Sequence, residues 1–183
     1  TIEDVISLGV GEPDYTTPEP ICRAAIESIE RGDTHYTSNY GLLELREKLA
    51  EHLFRLYGVR YDPRTEIIIT SGSSEAFAIP RRPPLHPAHE VLCPHPCSVA
   101  YLPATLMAGG NFVPVPTFAR NDFRLLAEDV EAAITPRTKA ILLGYPSNPT
   151  GATMGREDLL AIGEVARKHD LAVISDELYD RMT

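Results

Sequence analysis

Short β-branched runs alternate with helical stripes along this chain, and that alternation constrains its fold more than any other feature. Glu66–Thr70 (E-I-I-I-T), Val91–Cys93, Asn111–Val115, Lys139–Leu143 and Leu171–Ser175 read as strands. Val99–Ala108, Leu125–Ala133 and Glu157–His169 read as helices between the later strands. Strands separated by helices need crossover connections, and crossovers place strands parallel with helices on both faces of the sheet. The expected fold class is therefore α/β, a three-layer α/β/α arrangement with a mostly parallel twisted sheet. Ahead of it, Thr17-Pro18 offers a capping hydroxyl and an N-terminal proline to a helix carrying Ile21, Ala25 and Ile29 on one face. Leu42, Leu45, Leu49, Leu53 and Leu56 form a second stripe that stops at Gly58. A third helix opens at Ser74 and meets Pro80, Pro83, Pro84 and Pro87. An interior proline costs ~3 kcal/mol, so this helix is expected to end by Ile79.

Composition removes whole classes of function. The chain has 183 residues, enough to bury a core without metals or disulfides, and hydrophobic content is 43% against 23% charged, which excludes intrinsic disorder. Net charge is −9 with no basic run, so neither nucleic acid nor an anionic membrane is an expected partner. No apolar stretch reaches the ~18 residues of a membrane span. Three cysteines, an odd number, make no disulfide framework and point to a cytoplasmic setting, with Cys22, Cys93 and Cys97 read as small buried hydrophobes. Glu128, Asp129 and Glu131 read as a solvated helix face.

Ligands of parallel sheets sit beyond the carboxyl ends of the strands, and three such ends carry polar groups. Ser71-Gly72-Ser73-Ser74 follows the first strand candidate; it is either a plain capping turn or a set of free N–H groups facing an anion such as phosphate. Asn148, between Pro146 and Pro149, is either a turn residue bonded to its own backbone or a rigidly held amide donor. Asp176 ends an apolar strand; it either caps the next helix or meets a cation or protonated ring nitrogen, and Tyr179 follows three residues later. A phosphate, a hydrogen-bonding ring substituent and a basic ring nitrogen together describe pyridoxal phosphate.

On these residues the chain resembles the fold-type I pyridoxal-phosphate aminotransferases of class I/II, over nearly its whole length. The carriers are Gly9-Val10-Gly11-Glu12-Pro13-Asp14, His35-Tyr36-Thr37 with Gly41, Leu45 and Arg46, the Ser71–Ala76 turn, Ser147-Asn148-Pro149-Thr150-Gly151, and Asp176-Glu177-Leu178-Tyr179. The resemblance implies that Gly72, Ser73 and Ser74 cradle the phosphate and that Tyr36 reaches the phosphate of a neighbouring subunit in a homodimer. It implies that Asn148 and Tyr179 hold the ring hydroxyl, that Asp176 keeps the ring nitrogen protonated, and that Gly11 lies beside the substrate carboxylate. The implied activity is transfer of an amino group between an L-amino acid and a 2-oxo acid. Alternatives are a lyase on the same fold, or a non-catalytic partner or relic of an aminotransferase.

Departures from the family pattern set further expectations. The chain begins at Thr1 and stops at Thr183 just after the D-E-x-Y motif, before the family's Schiff-base lysine; Lys48, Lys139 and Lys168 are the lysines present. It is therefore expected to be part of a longer protein and inactive alone. Residues 1–41 are read as a lead-in segment and 42–183 as a partial cofactor-binding large domain, with the small domain absent. Ser98 stands among the cofactor contacts where the family stacks an aromatic ring, a loss of ~1 kcal/mol. Pro80–His89 departs from the family's continuing helix and turn, as a local reading-frame lesion would. His86, His89, Cys93, His95 and Cys97 cluster in sequence, but their spacing fits no usual zinc pattern, and no metal is expected.

Overall fold

A computed structural model describes residue 11, residues 15–78 and residues 87–182. Two compact units divide between Ile69 and Thr70: Thr1–Ile69 and Thr70–Thr183.

The first unit holds helices α1 (Glu19–Glu30) and α2 (Leu43–Tyr57). Pro18 rather than Thr17 occupies the cap of α1, whose carbonyl accepts from the Ile21 and Cys22 N–H groups; the Thr17 hydroxyl makes no cap bond. The apolar face of α1 is exposed at Ile21, Ile26 and Ile29, and Cys22 on the same helix is exposed too, against expectation. Helix α2 ends at Gly58 in a left-handed conformation (φ +70°), which costs glycine little. Its Arg46 is buried and donates to the Pro63 carbonyl oxygen at 2.7 Å.

Glu66–Thr70 is not a strand. Among the described residues it joins no ladder; instead the Ile69 N–H donates to the Tyr40 carbonyl at 3.0 Å. A Cβ on Gly41 would stand 2.6 Å from that of Ile69, so the two segments touch where only glycine fits. This packing explains why residues 42–69 group with the lead-in here. The division at 41/42 concerns the domains of a complete enzyme and remains a proposal.

The second unit is a four-stranded sheet in the order β2-β1-β3-β4, every pair parallel. Its strands are β1 (Glu90–His95), β2 (Asn111–Pro116), β3 (Thr138–Gly144) and β4 (Ala172–Asp176). Its helices are α3 (Ser73–Ala78), α4 (Tyr101–Met107), α5 (Ala127–Ala133) and α6 (Arg156–Lys168). Successive residues of a strand face opposite sides, and the core divides accordingly. Leu92, Ile141 and Leu143 pack with Leu125, Val130, Ile162 and Ala166 on the α5–α6 side. Val91, Cys93, Ala140 and Leu142 pack with Tyr101 and Phe77 on the α3–α4 side. Full burial of side chains such as Leu92 and Ile141 stabilises by about 1.5–3 kcal/mol each. The three-layer α/β/α expectation thus holds. Glu131 is less free than a solvated face implies: its carboxylate accepts from Lys168 Nζ and meets His169 Nε2 at 2.8 Å, tying α5 to α6.

Chain order fixes where a ligand can sit. From β1 the chain moves to β2 on one side, then crosses to β3 on the other, so the order reverses between β1 and β3. Open parallel sheets bind ligands beyond the carboxyl ends at such a point. Here the β1–β3 ladder also stops early, at Leu92↔Ile141, two residues before Pro94, which has no N–H with which to extend it.

Candidate functional site

Asp176 is the last residue of β4 and lies in register with Gly144, the last residue of β3. Its carboxylate is held twice. Tyr101 of α4 donates its hydroxyl to Oδ2 at 2.8 Å, and the Leu178 N–H donates to Oδ1 at 3.1 Å. The local backbone bond thus closes a turn rather than capping a helix, and the long-range partner is a neutral hydroxyl rather than the cation or protonated ring nitrogen expected from the sequence. Two oxygens with one protein donor each retain further lone pairs, so the carboxylate can still accept from a ligand.

Tyr101 reaches Asp176 because Gly144 has no side chain. A Cβ at Gly144 would lie 2.1 Å from the Tyr101 hydroxyl oxygen. The ring is 5% exposed and packs edge-on against Phe77 of α3, with centroids 5.3 Å apart. Burial first, then the Asp176 carboxylate, push the Tyr101 hydroxyl far above the ordinary phenol range, so it stays a donor. Phe77 lies within a turn of Ser73 and Ser74, so the ring contact also anchors the start of α3 to the Asp176 end of the sheet.

Gly72 has φ +86°, and nothing lies within 4 Å of where its Cβ would be; it is exposed with Ser73 and Ser74. The Ser71 N–H is taken by the Glu75 carboxylate at 2.5 Å. Asn148 sits exposed in the turn after β3, which is closed by Ser147 N–H to Ala152 O and Gly151 N–H to Ser147 O, both 2.8 Å. The Thr150 hydroxyl, not Asn148, accepts the local backbone bond from Ala152 N–H. Tyr179 is half-buried in the turn after β4. Ser98 is half-buried at the entry to α4, where its hydroxyl accepts from Ala100 N–H at 3.4 Å. Ser98, Asn148, Asp176 and Tyr179 thus share the carboxyl edge of one parallel sheet. Gly11 and Tyr36 belong to the first unit; Tyr36 is fully exposed.

The lysines fall elsewhere. Lys139 is five residues up β3 from Gly144, about 16 Å away at the usual strand rise. Lys168 ends α6, the helix that returns to the start of β4. Lys48 on α2 pairs with Glu51 at 2.7 Å. No group of three or more His, Cys, Asp or Glu side chains able to hold a metal occurs among the described residues, and His86 lies outside them, as do residues 80–85 of the proline-rich segment. Tyr101 and Gly144 shape the surroundings of Asp176, and sequence reasoning missed both. The first looks like any core aromatic on a helix, and the second like the start of a loop.

Comparison with known proteins decides the family. The sequence model for aminotransferase class I and II matches residues 3–183. The chain belongs to this family. Over 179 residues it is 45% identical to aromatic-amino-acid aminotransferase 2 of Thermococcus litoralis, covering 98% of this chain and 46% of that protein. It is 44% identical to the aspartate aminotransferase of Pyrococcus abyssi, again over 98% of this chain and 46% of the relative. The solved aromatic aminotransferase of Pyrococcus horikoshii superposes with a TM-score of 0.92 at 45% identity, over 96% of this chain and 47% of that one. The chain spans about half the length of the curated relatives it matches.

Proposed function

We propose that the complete protein carrying these residues is a pyridoxal-phosphate aminotransferase that moves an amino group from an L-amino acid to a 2-oxo acid. The observation that carries this reading is the Asp176 carboxylate. It sits at the carboxyl edge of the sheet, next to the point where strand order reverses, fixed by a buried phenol and with acceptor capacity to spare. The donor set fits the cofactor. Asp176 would accept from the protonated ring nitrogen, Asn148 and Tyr179 would hold the ring hydroxyl, and the Gly72–Ser74 backbone would receive the phosphate. Pyridoxal phosphate, when bound, supplies a ring that stabilises negative charge developing at the substrate α-carbon.

The chain's own residues have the following work. Asp176 keeps a proton on the ring nitrogen by offering it a fixed anion. Tyr101 orients that carboxylate and, being buried, keeps water from its back. Gly72 lets a phosphate approach the backbone without a Cβ in the way. Lys139 and Lys168 lie toward the amino ends of the strands, so neither is placed to move the α-proton.

The complete protein is proposed to be a homodimer in which Tyr36 reaches across; the full exposure of that ring supports this. A cytoplasmic location is proposed from the free Cys22, Cys93 and Cys97. No helix among the described residues is long and apolar enough to cross a membrane.

Titration of the full-length protein with pyridoxal phosphate, followed by absorbance, tests the reading. Wild type binds and carries out transamination, whereas Asp176→Ala loses roughly tenfold or more in affinity, as expected for a charge-assisted bond. A wild-type protein that takes up no cofactor overturns the proposal.

A further inference from the structure

Phe123 and Arg124, neighbours in the loop after β2, hold the two ends of the connection that carries Asn148 from β3 to α6. At one end the hydroxyl of Tyr145, the residue after β3, donates to the Phe123 carbonyl oxygen at 3.0 Å. At the other, Arg124 Nη1 donates to both carboxylate oxygens of Asp158, at 3.3 and 3.2 Å, in the first turn of α6. The Asp158 carboxylate also accepts from the Gly155 N–H at 3.1 Å. Tyr145 and Met154 both pack on the α5–α6 side of the core. Asn148 is therefore exposed in a connection that is tied down at both feet.

The loop that supplies these anchors is itself strained. Asp122 and Phe123 both have left-handed backbone, φ +52° and +54°, which residues with a Cβ adopt only where their surroundings enforce it. Two bonds close the loop locally, Phe123 N–H to Phe118 O and Arg124 N–H to Asn121 O, both 3.0 Å. Leu125, two residues beyond Phe123, is sealed in the core. Tyr145 adds the bond that reaches this loop from the end of β3.

We propose that Tyr145 is a positioning residue: its bond to Phe123 fixes the turn that presents Asn148 to the ring hydroxyl of pyridoxal phosphate. This rests on the cofactor placement proposed above. Pro146 stands between Tyr145 and Asn148 and Pro149 follows, and each ring locks its own φ. Few torsions are left between the two residues to absorb a displacement, so a shift of the Tyr145 ring is passed on to Asn148. The hydroxyl is a steady donor, because burial pushes it up to about 12 and it keeps its proton at neutral pH. Tyr179, the other residue proposed to meet the ring hydroxyl, belongs to the separate turn after β4.

Wild type, Tyr145→Phe, Asn148→Ala and the double variant, all as full-length proteins, are titrated with pyridoxal phosphate and followed by absorbance. Tyr145→Phe should bind roughly two- to tenfold more weakly, the effect of one hydrogen bond. The spectrum of its bound cofactor should move in the same direction as that of Asn148→Ala, since a donor on the ring hydroxyl alters the ring's absorbance. In the Asn148→Ala background, Tyr145→Phe should cost no further affinity, because its effect passes through Asn148. Thr135→Val removes a hydroxyl bonded to Glu90 at 2.6 Å, at the start of β1, and controls for lost stability; its affinity and spectrum should match wild type. Without cofactor, amide exchange across residues 147–152 should quicken in Tyr145→Phe. Additive losses in the double variant overturn the positioning role and leave the cofactor reading in place. So does a Tyr145→Phe spectrum identical to wild type, or an equal shift in Thr135→Val. A wild-type protein that binds no pyridoxal phosphate overturns both.

Discussion

The Tyr101 hydroxyl stands 2.8 Å from Asp176 Oδ2, joining residues 75 positions apart across the end of β3. Replacing Tyr101 by Phe keeps the ring contact with Phe77 and removes only the donor. A buried hydrogen bond contributes about 1–2 kcal/mol, so Tyr101→Phe should lower unfolding stability by that amount. If Asp176 holds the ring nitrogen, the same change should weaken pyridoxal-phosphate binding several-fold. Urea denaturation without the cofactor and absorbance titration with it separate the two effects. An unchanged denaturation midpoint would mean that the bond contributes nothing to stability.

Glycines 144 and 163 predict opposite signs for the same substitution. At Gly144 a methyl group meets the Tyr101 hydroxyl at 2.1 Å and ring carbon Cζ at 3.0 Å, and both belong to a buried side chain. Gly144→Ala should therefore destabilise by about 1–3 kcal/mol and break the Asp176 contact. Gly163 is an exposed residue inside α6 with nothing within 4 Å of its would-be Cβ. Gly163→Ala should stabilise by about 0.5–1 kcal/mol through helix propensity. Thermal melts of the two variants beside wild type check both signs.

How far these residues were legible in the sequence depends on whether their neighbours lie near in the chain. Lys139–Leu143 announces a buried strand, because β3 is flanked on both sides and its apolar run is continuous. Glu66–Thr70 also carries an apolar run, Ile67-Ile68-Ile69, but a strand needs a partner, and Ile69 finds Tyr40 instead. The strands expected at Val91–Cys93 and Asn111–Val115 run further, β1 over Glu90–His95 and β2 over Asn111–Pro116, with Pro94 and Pro116 inside them. The ladder to β3 has already ended at Leu92, and β2 is an edge strand, so the missing N–H groups cost little there. Asp176 was visible as a carboxylate closing an apolar strand. Tyr101 was not, because its role is set by a register match between β3 and β4 that leaves no local mark.

Glu90 anchors the opposite end of the sheet. Its buried carboxylate accepts from the Thr135 hydroxyl at 2.6 Å and from Arg137 Nη2 and Nε at 2.6 and 2.8 Å. Above all the Thr135 bond, then Arg137, hold it below the usual carboxylate value of 4.5 against the cost of burial. A carboxyl whose folded pKa is lowered stabilises at pH above its unfolded value and loses that contribution as pH falls through the folded one. Glu90→Gln should therefore cost about 1–2 kcal/mol at neutral pH, with the gap to wild type closing as the solution is taken well below 4.5. Denaturation midpoints of both proteins across that range decide it; a gap independent of pH would mean that Glu90 acts by packing alone.

Ser98 offers a gain-of-function test of the proposed cofactor orientation. Its hydroxyl contributes one long contact, accepting from Ala100 N–H at 3.4 Å, so little is lost by removing it. An aromatic ring at this place would lie at the carboxyl edge beside Asp176 and could stack on a bound pyridine ring. Aromatic pairs contribute about 0.5–1.5 kcal/mol beyond area burial, equivalent to roughly two- to twelvefold in affinity. Ser98→Phe should therefore bind pyridoxal phosphate more tightly than wild type, while Ser98→Ala, which loses only the hydroxyl, should match it. Absorbance titration of the three full-length proteins gives the comparison. If Ser98→Phe binds no better than Ser98→Ala, the ring does not lie over residue 98, and the placement of the cofactor between Asp176 and the start of α4 is wrong.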